Sequence, residues 1–227
     1  MEAFQIIEQV MSEKKERVVI VDDHPLFRER LCELIDHELD MEVCGEAEDA
    51  QQAIEIIRNT SPDLAIVDIT LKGSSGLELI KNIRALPTRV PVLVLSMHDE
   101  SLYAERALRS GASGYITKHE SADNVLLAIR RVLAGEVYLS GTLTSAFLKG
   151  LTGGLKGTSQ PLDRLTDREL EILELIGRGR ATRQIAETLQ LGVATVDTYR
   201  ARIKEKMNFR TGTELQHFAI RWVRDRE

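Results

Sequence analysis

The sequence predicts a doubly wound α/β domain, built on a five-stranded parallel sheet, followed by a small all-α domain. Three observations carry that prediction. Short apolar runs alternate with amphipathic segments up to about residue 137, a Gly/Ser/Thr-rich stretch at 140–160 interrupts every period, and charge divides unevenly across that stretch. From Pro161 to Glu227 there are 13 Lys+Arg and 11 Asp+Glu, leaving 17 and 25 ahead of them, so a net charge of −8 precedes one of +2. Such asymmetry suits two domains with different partners.

Residues 1–15 fall outside the alternation as an N-terminal extension, with Phe4, Ile7 and Met11 on one helical face. Strands are predicted at RVVIVDD (17–23), MEVCGEA (41–47), DLAIVDI (63–69), PVLVLSM (91–97) and SGYITK (113–118). Continuous apolar runs of this length fit strands buried on both faces. Between them, Ala53, Ile54, Ile56 and Ile57 recur at helical spacing, as do Leu77, Leu79, Ile80 and Ile83, and a last helix fits 121–134. Parallel strands need crossover connections, so these helices cover the sheet on both faces. The first domain therefore spans 16–137. A linker follows at 138–161, where Leu143, Phe147, Leu148 and Leu151 suit a short helical turn.

The second domain spans 162–227. Thr166 with Glu169 three residues later is a capping box that opens a helix to about Ile176, stopped by Gly177 or Gly179. A second helix fits Thr182 to Leu189, Gly192 supplies a tight turn, and Thr195 begins a third helix that runs to about Met207. Two helices joined by so short a turn form a helix-turn-helix, whose second helix lies in the DNA major groove. A final helix over 213–224 places Leu215, Phe218, Ala219, Trp222 and Val223 on one side.

Composition narrows the function classes. With 43% hydrophobic and 29% charged residues the chain has globular proportions, and no apolar run approaches the ~18 residues that cross a bilayer. The first residues mix acidic with apolar side chains and lack a secretory pattern, which implies a cytoplasmic protein without a membrane partner. Cys32 and Cys44 lie in apolar stretches at no metal-ligand spacing and read as reduced core residues.

In doubly wound sheets, ligands collect at the carboxyl ends of the strands. Those ends carry Asp22 and Asp23 after the first, Asp68 after the third, Ser96 after the fourth and Lys118 after the fifth. Each alone has an ordinary reading as a helix cap, a strand end or a solvated surface charge. Together they crowd three carboxylates at one edge, where mutual repulsion calls for a hard cation such as Mg2+. A carboxylate, a divalent cation, a lysine and a hydroxyl make a phosphoryl-transfer site, with the carboxylate as nucleophile.

The front half resembles the receiver domain of two-component response regulators over about 16–137, on VDDHP at 21–25, VDI at 67–69, Gly76, LSMHD at 95–99 and GYITK at 114–118. The resemblance implies a flavodoxin-like receiver fold in which Asp68 is the phosphoacceptor. It implies Mg2+ held by Asp23, Asp68 and the backbone carbonyl of Thr70 with Asp22 assisting, Lys118 on the phosphoryl group, and Ser96 with Tyr115 as the switch pair. Tyr115 is expected to turn inward as Ser96 is drawn to the phosphoryl group. One departure is LKGSSG at 71–76, a loop that often holds a proline in the family.

The back half resembles the LuxR-type DNA-binding domain of NarL/FixJ-class response regulators over about 162–224, on LTDRE at 165–169, IAETL at 185–189, TVDTYRARI at 195–203 and the EKM that follows. Val196, Tyr199 and Ile203 are spaced to face the core. Asp197, Thr198, Arg200, Ala201, Arg202 and Lys204 remain outside and, with Thr195 and Arg183, form the candidate DNA-binding set. Arg200, Arg202, Lys204, Lys206 and Arg210 suit phosphates. Thr198 and Ala201 allow close approach to base edges, and Asp197 suits cytosine N4. Where Asp197 stands the family often has lysine. Phe218 and Trp222 are the candidate dimerisation residues.

The two resemblances together imply a DNA-binding response regulator that takes its phosphoryl group from a sensor histidine kinase and pairs as a homodimer on double-stranded DNA. RNA polymerase is a further expected partner. Such a protein is not an enzyme: its only chemistry is Mg2+-dependent self-phosphorylation from a donor. Two alternatives remain open. An aspartate-dependent phosphohydrolase shares the chemistry, but Thr70 stands where its second acid belongs. A constitutive DNA-binding protein would use the front domain only as a scaffold.

Overall fold

Val18 to Val21 and Leu64 to Val67 are wholly or almost wholly buried, the mark of strands at the centre of a sheet covered on both sides. The structure, a computed structural model, describes residues 14–98, 100–141, 144 and 161–225. The apolar face expected at Phe4, Ile7 and Met11, and the expected turn and glycines of the linker, lie outside the described residues. The chain divides into two units, Met1–Ala146 and Phe147–Glu227.

The first unit runs β1 (Glu16–Val21), α1 (Pro25–Asp36), β2 (Met41–Ala47), α2 (Ala50–Thr60), β3 (Leu64–Val67), α3 (Gly76–Arg84), β4 (Val92–Ser96), α4 (Glu100–Ser110), β5 (Gly114–Thr117) and α5 (Ala122–Leu133). The five strands pair in the order β2-β1-β3-β4-β5, all parallel. This is the predicted doubly wound fold. Its strand order reverses between β1 and β3, where such sheets open a crevice.

Side chains alternate across the sheet. Val18, Ile20, Leu64, Ile66, Leu93 and Leu95 pack with Leu31 and Ile35 of α1 and with Val125, Ile129 and Val132 of α5. The alternate residues Val19, Val21, Ala65, Val67 and Val94 are also buried, as are Ala53 and Ile57 of α2, Ile80 and Ile83 of α3, and Ala104 and Ala107 of α4. Local chemistry sets the helix starts. Pro25 occupies the first turn of α1, and Asp49 caps α2 by accepting from the amides of Gln51 and Gln52 at 2.9 Å. Ser75 and Ser121 cap α3 and α5 in the same way.

One element went unforeseen. Thr70–Leu71 pairs antiparallel with Ser74–Ser75 around Gly73, whose φ of +66° favours glycine. This ribbon orders the loop that lacks the proline.

The second unit holds a 3₁₀ turn (Pro161–Arg164), α6 (Asp167–Gly177), α7 (Thr182–Thr188), α8 (Val193–Met207) and α9 (Gly212–Arg224). Its core joins Leu170, Leu173 and Ile176 to Ile185, Leu189, Val196, Ile203, Leu215 and Ala219. Gly177 marks a close helix crossing: a Cβ there would lie 2.5 Å from the Ala219 carbonyl oxygen. Two sequence expectations need correction. α8 begins at Val193 rather than Thr195, because the Gly192 carbonyl already accepts from the amides of Thr195 at 2.9 Å and Val196 at 3.1 Å. The left-handed residue of the turn is Gln190, with φ 51°, whereas Gly192 has φ −68° and serves as the helix cap. No helix among the described residues is long and apolar enough to cross a membrane.

The Thr166–Glu169 capping box forms as expected, and it also ties the unit together. The buried Glu169 carboxylate accepts from the Thr166 amide at 2.7 Å and from Lys206 Nζ, at the far end of α8, at 2.6 Å. Burial alone would push the Glu169 carboxyl up, but these hydrogen bonds outweigh it and hold the group below its ordinary value of 4.5. A carboxyl depressed by folding stabilises the fold above its unfolded pKa, and that contribution disappears as pH falls through the folded value. Glu169→Gln should therefore cost about 1–2 kcal/mol at pH 7. The difference from the wild type should shrink steadily below about pH 4.5. Thermal unfolding followed by fluorescence of the single tryptophan, Trp222, tests this; a pH-independent difference would refute it.

Candidate functional site

Because β1 and β3 are hydrogen-bonded neighbours, the residues after them meet at one edge. Asp22 and Asp68 are each 3% exposed. Lys118 follows β5, two strands away, and its extended side chain reaches back over the edge. Its Nζ lies 2.5 Å from Asp22 Oδ2 and 2.6 Å from Asp68 Oδ2 with the side chain 2% exposed, and it stands 4.4 Å from the centre of the Phe27 ring. A desolvated ammonium is thus shared by two carboxylates and an aromatic face.

Negative charge still exceeds positive. Burial, then repulsion from Asp68, pushes the Asp22 carboxyl above its ordinary range against the pull of Lys118. Burial does the same to Asp23, opposed by His24. Asp23 Oδ1 is buried and accepts no hydrogen bond, although His24 Nδ1 lies 2.9 Å away. An orphaned carboxylate oxygen beside two further carboxylates fits a divalent cation. Donor atoms of Asp22, Asp23, His24 and Asp68 all lie within 4.8 Å of one another. Three of the four donors are hard carboxylate oxygens.

The backbone around Asp68 is held from α3. The Gly76 amide donates to the Ile69 carbonyl at 2.6 Å, and a Cβ on Gly76 would stand 1.9 Å from the Asp68 carbonyl oxygen. Only glycine permits that approach. Arg28 of α1 donates to the Asp22 carbonyl at 2.5 Å.

Ser96 is fully buried at the end of β4 and its Oγ accepts from the His98 amide at 3.4 Å, while the Lys118 amide donates to the Ser96 carbonyl at 2.8 Å. Tyr115 is wholly buried, and its hydroxyl donates to the His98 carbonyl at 2.9 Å. The inward position expected only after a turn is therefore already occupied, because His98 supplies the acceptor that a buried phenol needs. The His98 ring in turn meets Thr70 Oγ1 at 2.9 Å, and the Thr70 amide lies 3.4 Å from Asp68 Oδ1. Asp22, Asp23, Asp68 and Lys118 converge at the edge, Thr70 meets Asp68 through its amide, and Ser96 and Tyr115 connect to Thr70 through His98.

The first residues of the expected linker bond to this unit. The Tyr138 carbonyl accepts from the Tyr115 amide at 2.9 Å, the Tyr138 amide donates to Ser113, and the Ser140 amide donates to Glu100 Oε1 of α4 at 2.9 Å.

On α8, Thr195, Asp197, Thr198, Ala201 and Arg202 are exposed, as is Arg183 of α7. Arg200 and Lys204 are half-buried, and Arg200 Nη1 reaches Thr182 Oγ1 at 3.3 Å, joining the two helices of the motif. Lys206, expected among the phosphate-facing charges, is instead paired with Glu169. Phe218 packs on Phe209 with ring centres 5.2 Å apart, so it is partly a core residue, and both it and Trp222 are half-buried.

Three residues escaped sequence reasoning: His24 and Phe27 at the acidic edge, and Val193, 45% exposed at the start of α8. His24 and Phe27 lie one and four residues beyond Asp23, a spacing that could have flagged them. Val193 lies outside a helix that starts at Thr195 but inside α8 as it forms.

Since Asp23 is held above its ordinary pKa of 3.8, its ionised form costs stability in full above the raised value and nothing below the unfolded one. In a chelator-treated sample Asp23→Asn should raise Tm by about 2–5 °C at pH 8, with the gain vanishing at acid pH, while weakening binding of divalent cations. A lower Tm at pH 8 would contradict the electrostatic account.

Comparison with known proteins agrees with both halves. Residues 18–130 match the response regulator receiver domain, and residues 163–219 match the bacterial regulatory proteins of the luxR family. The chain is 35% identical over 205 residues to BvgA of Bordetella pertussis, a positive transcription regulator of virulence factors, covering 90% of this chain and 97% of BvgA. It is 34% identical over 210 residues to the oxygen regulatory protein NreC of Staphylococcus aureus, again covering 90% and 97%. The crystal structure of a LuxR-family two-component response regulator from Aurantimonas sp. SI85-9A1 matches 61% of this chain and 99% of that one, at 34% identity and a TM-score of 0.57. With family matches in both units and relatives aligned over nearly their whole length, the chain belongs to the NarL/FixJ class of two-component response regulators, in which a receiver domain precedes a LuxR-type DNA-binding domain.

Proposed function

We propose that Asp68 is the phosphoacceptor of this regulator, and that its phosphorylation by a sensor histidine kinase in the cytoplasm controls transcription through α8. The observation that carries this reading is Lys118, which bridges Asp22 and Asp68 while Asp23 Oδ1 remains without a hydrogen bond. A carboxylate oxygen of Asp68 attacks phosphorus as the phosphorus–nitrogen bond of the donor phosphohistidine breaks, its electron pair leaving with the imidazole. Asp23, Asp68 and the Thr70 carbonyl, with Asp22 assisting, would hold Mg2+, which supplies charge neutralisation on the equatorial oxygens. Lys118, paired with Asp68, neutralises the same charge.

Transfer of the phosphoryl group draws Lys118 and Ser96 toward Asp68. The response passes to His98 and so to Tyr115, whose hydroxyl and amide bond to His98 and Tyr138. The receiver extends over 16–137, the linker over 138–161, with Tyr138 and Ser140 bonded back to the receiver, and the DNA-binding domain over 162–227. The protein is a regulator, not an enzyme; its Mg2+-dependent self-phosphorylation is stoichiometric.

On double-stranded DNA, Asp197, Thr198, Ala201 and Thr195 reach base edges, while Arg183, Arg200, Arg202 and Lys204 contact phosphates. Val193 joins the first group as an apolar contact for a thymine methyl. A homodimer reads two half-sites through an interface that includes Trp222 and Phe218 of α9, next to the exposed Ile220, and bound dimers engage RNA polymerase.

A small phosphodonor with Mg2+ should label the wild-type chain once, to a stable plateau, and leave Asp68→Asn unlabelled. Full labelling of that variant would remove Asp68 as acceptor, and continuous turnover would favour a hydrolase. For DNA, Arg202→Ala should weaken binding to all sequences alike and lower the salt slope by about one unit, whereas Asp197→Ala should change sequence preference. Binding selection with both variants checks this; exchanged effects would reverse the assigned roles.

A further inference from the structure

Asp22 is held at both ends of its backbone. Its amide donates to the Ala47 carbonyl at the end of β2 at 3.0 Å, and its carbonyl accepts from Arg28 Nη1 of α1 at 2.5 Å. The same guanidinium donates through Nε to Glu46 Oε2 of β2 at 3.1 Å, with the Arg28 side chain 18% exposed. Arg28 is itself placed by its amide, which donates to the His24 carbonyl at 3.0 Å in the first turn of α1. Glu46 is held from α1 a second time. Burial, then the Glu46 charge, pushes the Cys32 thiol up to about 12, so at neutral pH it stays a donor to that carboxylate.

The carbonyl of Asp22 and the amide of Asp23 belong to one planar peptide, so the direction of that carbonyl constrains where the Asp23 side chain leaves the chain. A guanidinium is a rigid fork, and here it carries the position of Glu46 over to that peptide. The charges that act on the Asp22 and Asp23 carboxyls come chiefly from Asp68, Lys118 and His24, so Arg28 works through the backbone. We propose that Arg28 is a positioning residue for the acidic edge: by tying the Asp22 carbonyl to Glu46 it aims the Asp23 carboxylate at the divalent ion. The proposal rests on the Mg2+ site of the preceding section and adds the part that holds its geometry. Mg2+ accepts little departure from an octahedron with bonds of about 2.1 Å, so a small turn of that peptide costs affinity.

The test titrates Mg2+ into the full chain by calorimetry. Arg28→Met keeps the aliphatic stem and loses the fork, and it should lower Mg2+ affinity about tenfold, the usual scale for a group that orients a metal ligand. Arg28→Lys keeps the charge and should also lose most of that affinity, because one ammonium does not reproduce the fork. Glu46 is exposed, and Glu46→Ala leaves α1 intact. It should weaken Mg2+ binding in the wild-type background and add no loss to Arg28→Met, since both variants break the same chain of contacts. Wild-type affinity in Arg28→Met or Arg28→Lys, or an equal loss from Glu46→Ala in both backgrounds, would overturn the proposal while leaving the Mg2+ site intact. A wild type that binds no Mg2+ would overturn both.

Discussion

The receiver is organised around one buried ammonium. Lys118 leaves β5, crosses the edge of β4 and β3, and ends between Asp22 and Asp68, which meet because β1 and β3 are neighbours. A lysine removed from water needs more than one compensating charge. Two carboxylates and the Phe27 ring supply that compensation, and the third carboxylate, Asp23, leaves the pocket negative. The charge imbalance that destabilises the folded ionised form also suits this edge to a cation.

Around this centre the structure joins chemistry to surface through one loop. His98 faces Thr70 with its ring, Ser96 with its amide and Tyr115 with its carbonyl. Tyr115 then bonds through its own amide to Tyr138, at the root of the linker. Two buried polar groups on one tyrosine therefore face opposite ends of the path from Asp68 to Tyr138. Buried polar networks of this kind resist partial change, because each unsatisfied member is costly. Such a path is suited to switching between discrete states.

The DNA-binding unit depends on a second, simpler constraint. A small helical domain has little core, and α6 adds buried charge to it. Glu169 closes the capping box and holds Lys206, while Arg168 pairs with Glu171 at 2.6 Å. The Glu169–Lys206 tie fixes the far end of α8, and Arg200 reaching Thr182 fixes its relation to α7. The side chains left outward, from Val193 to Arg202, are then presented on a rigid helix, which is what reading a groove requires.

Much of this was legible in the sequence, because strands buried on both faces are written as unbroken apolar runs and capping boxes as local spacings. RVVIVDD and DLAIVDI located Asp22, Asp23 and Asp68, and Thr166 with Glu169 located α6, since each signal lies within a few residues of the structure it forms. The sequence by itself also determined the family, through motifs in both halves. Tertiary structure alone decided which partners those residues take. That Lys206 pairs with Glu169, that Tyr115 already lies inward on His98, that Gly76 abuts Asp68, and that His24 turns to the carboxylates instead of capping α1 all follow from contacts between separate elements or from side-chain direction. Hydrophobic periodicity carries no information about either, because it records only which face is buried and not which polar group stands opposite.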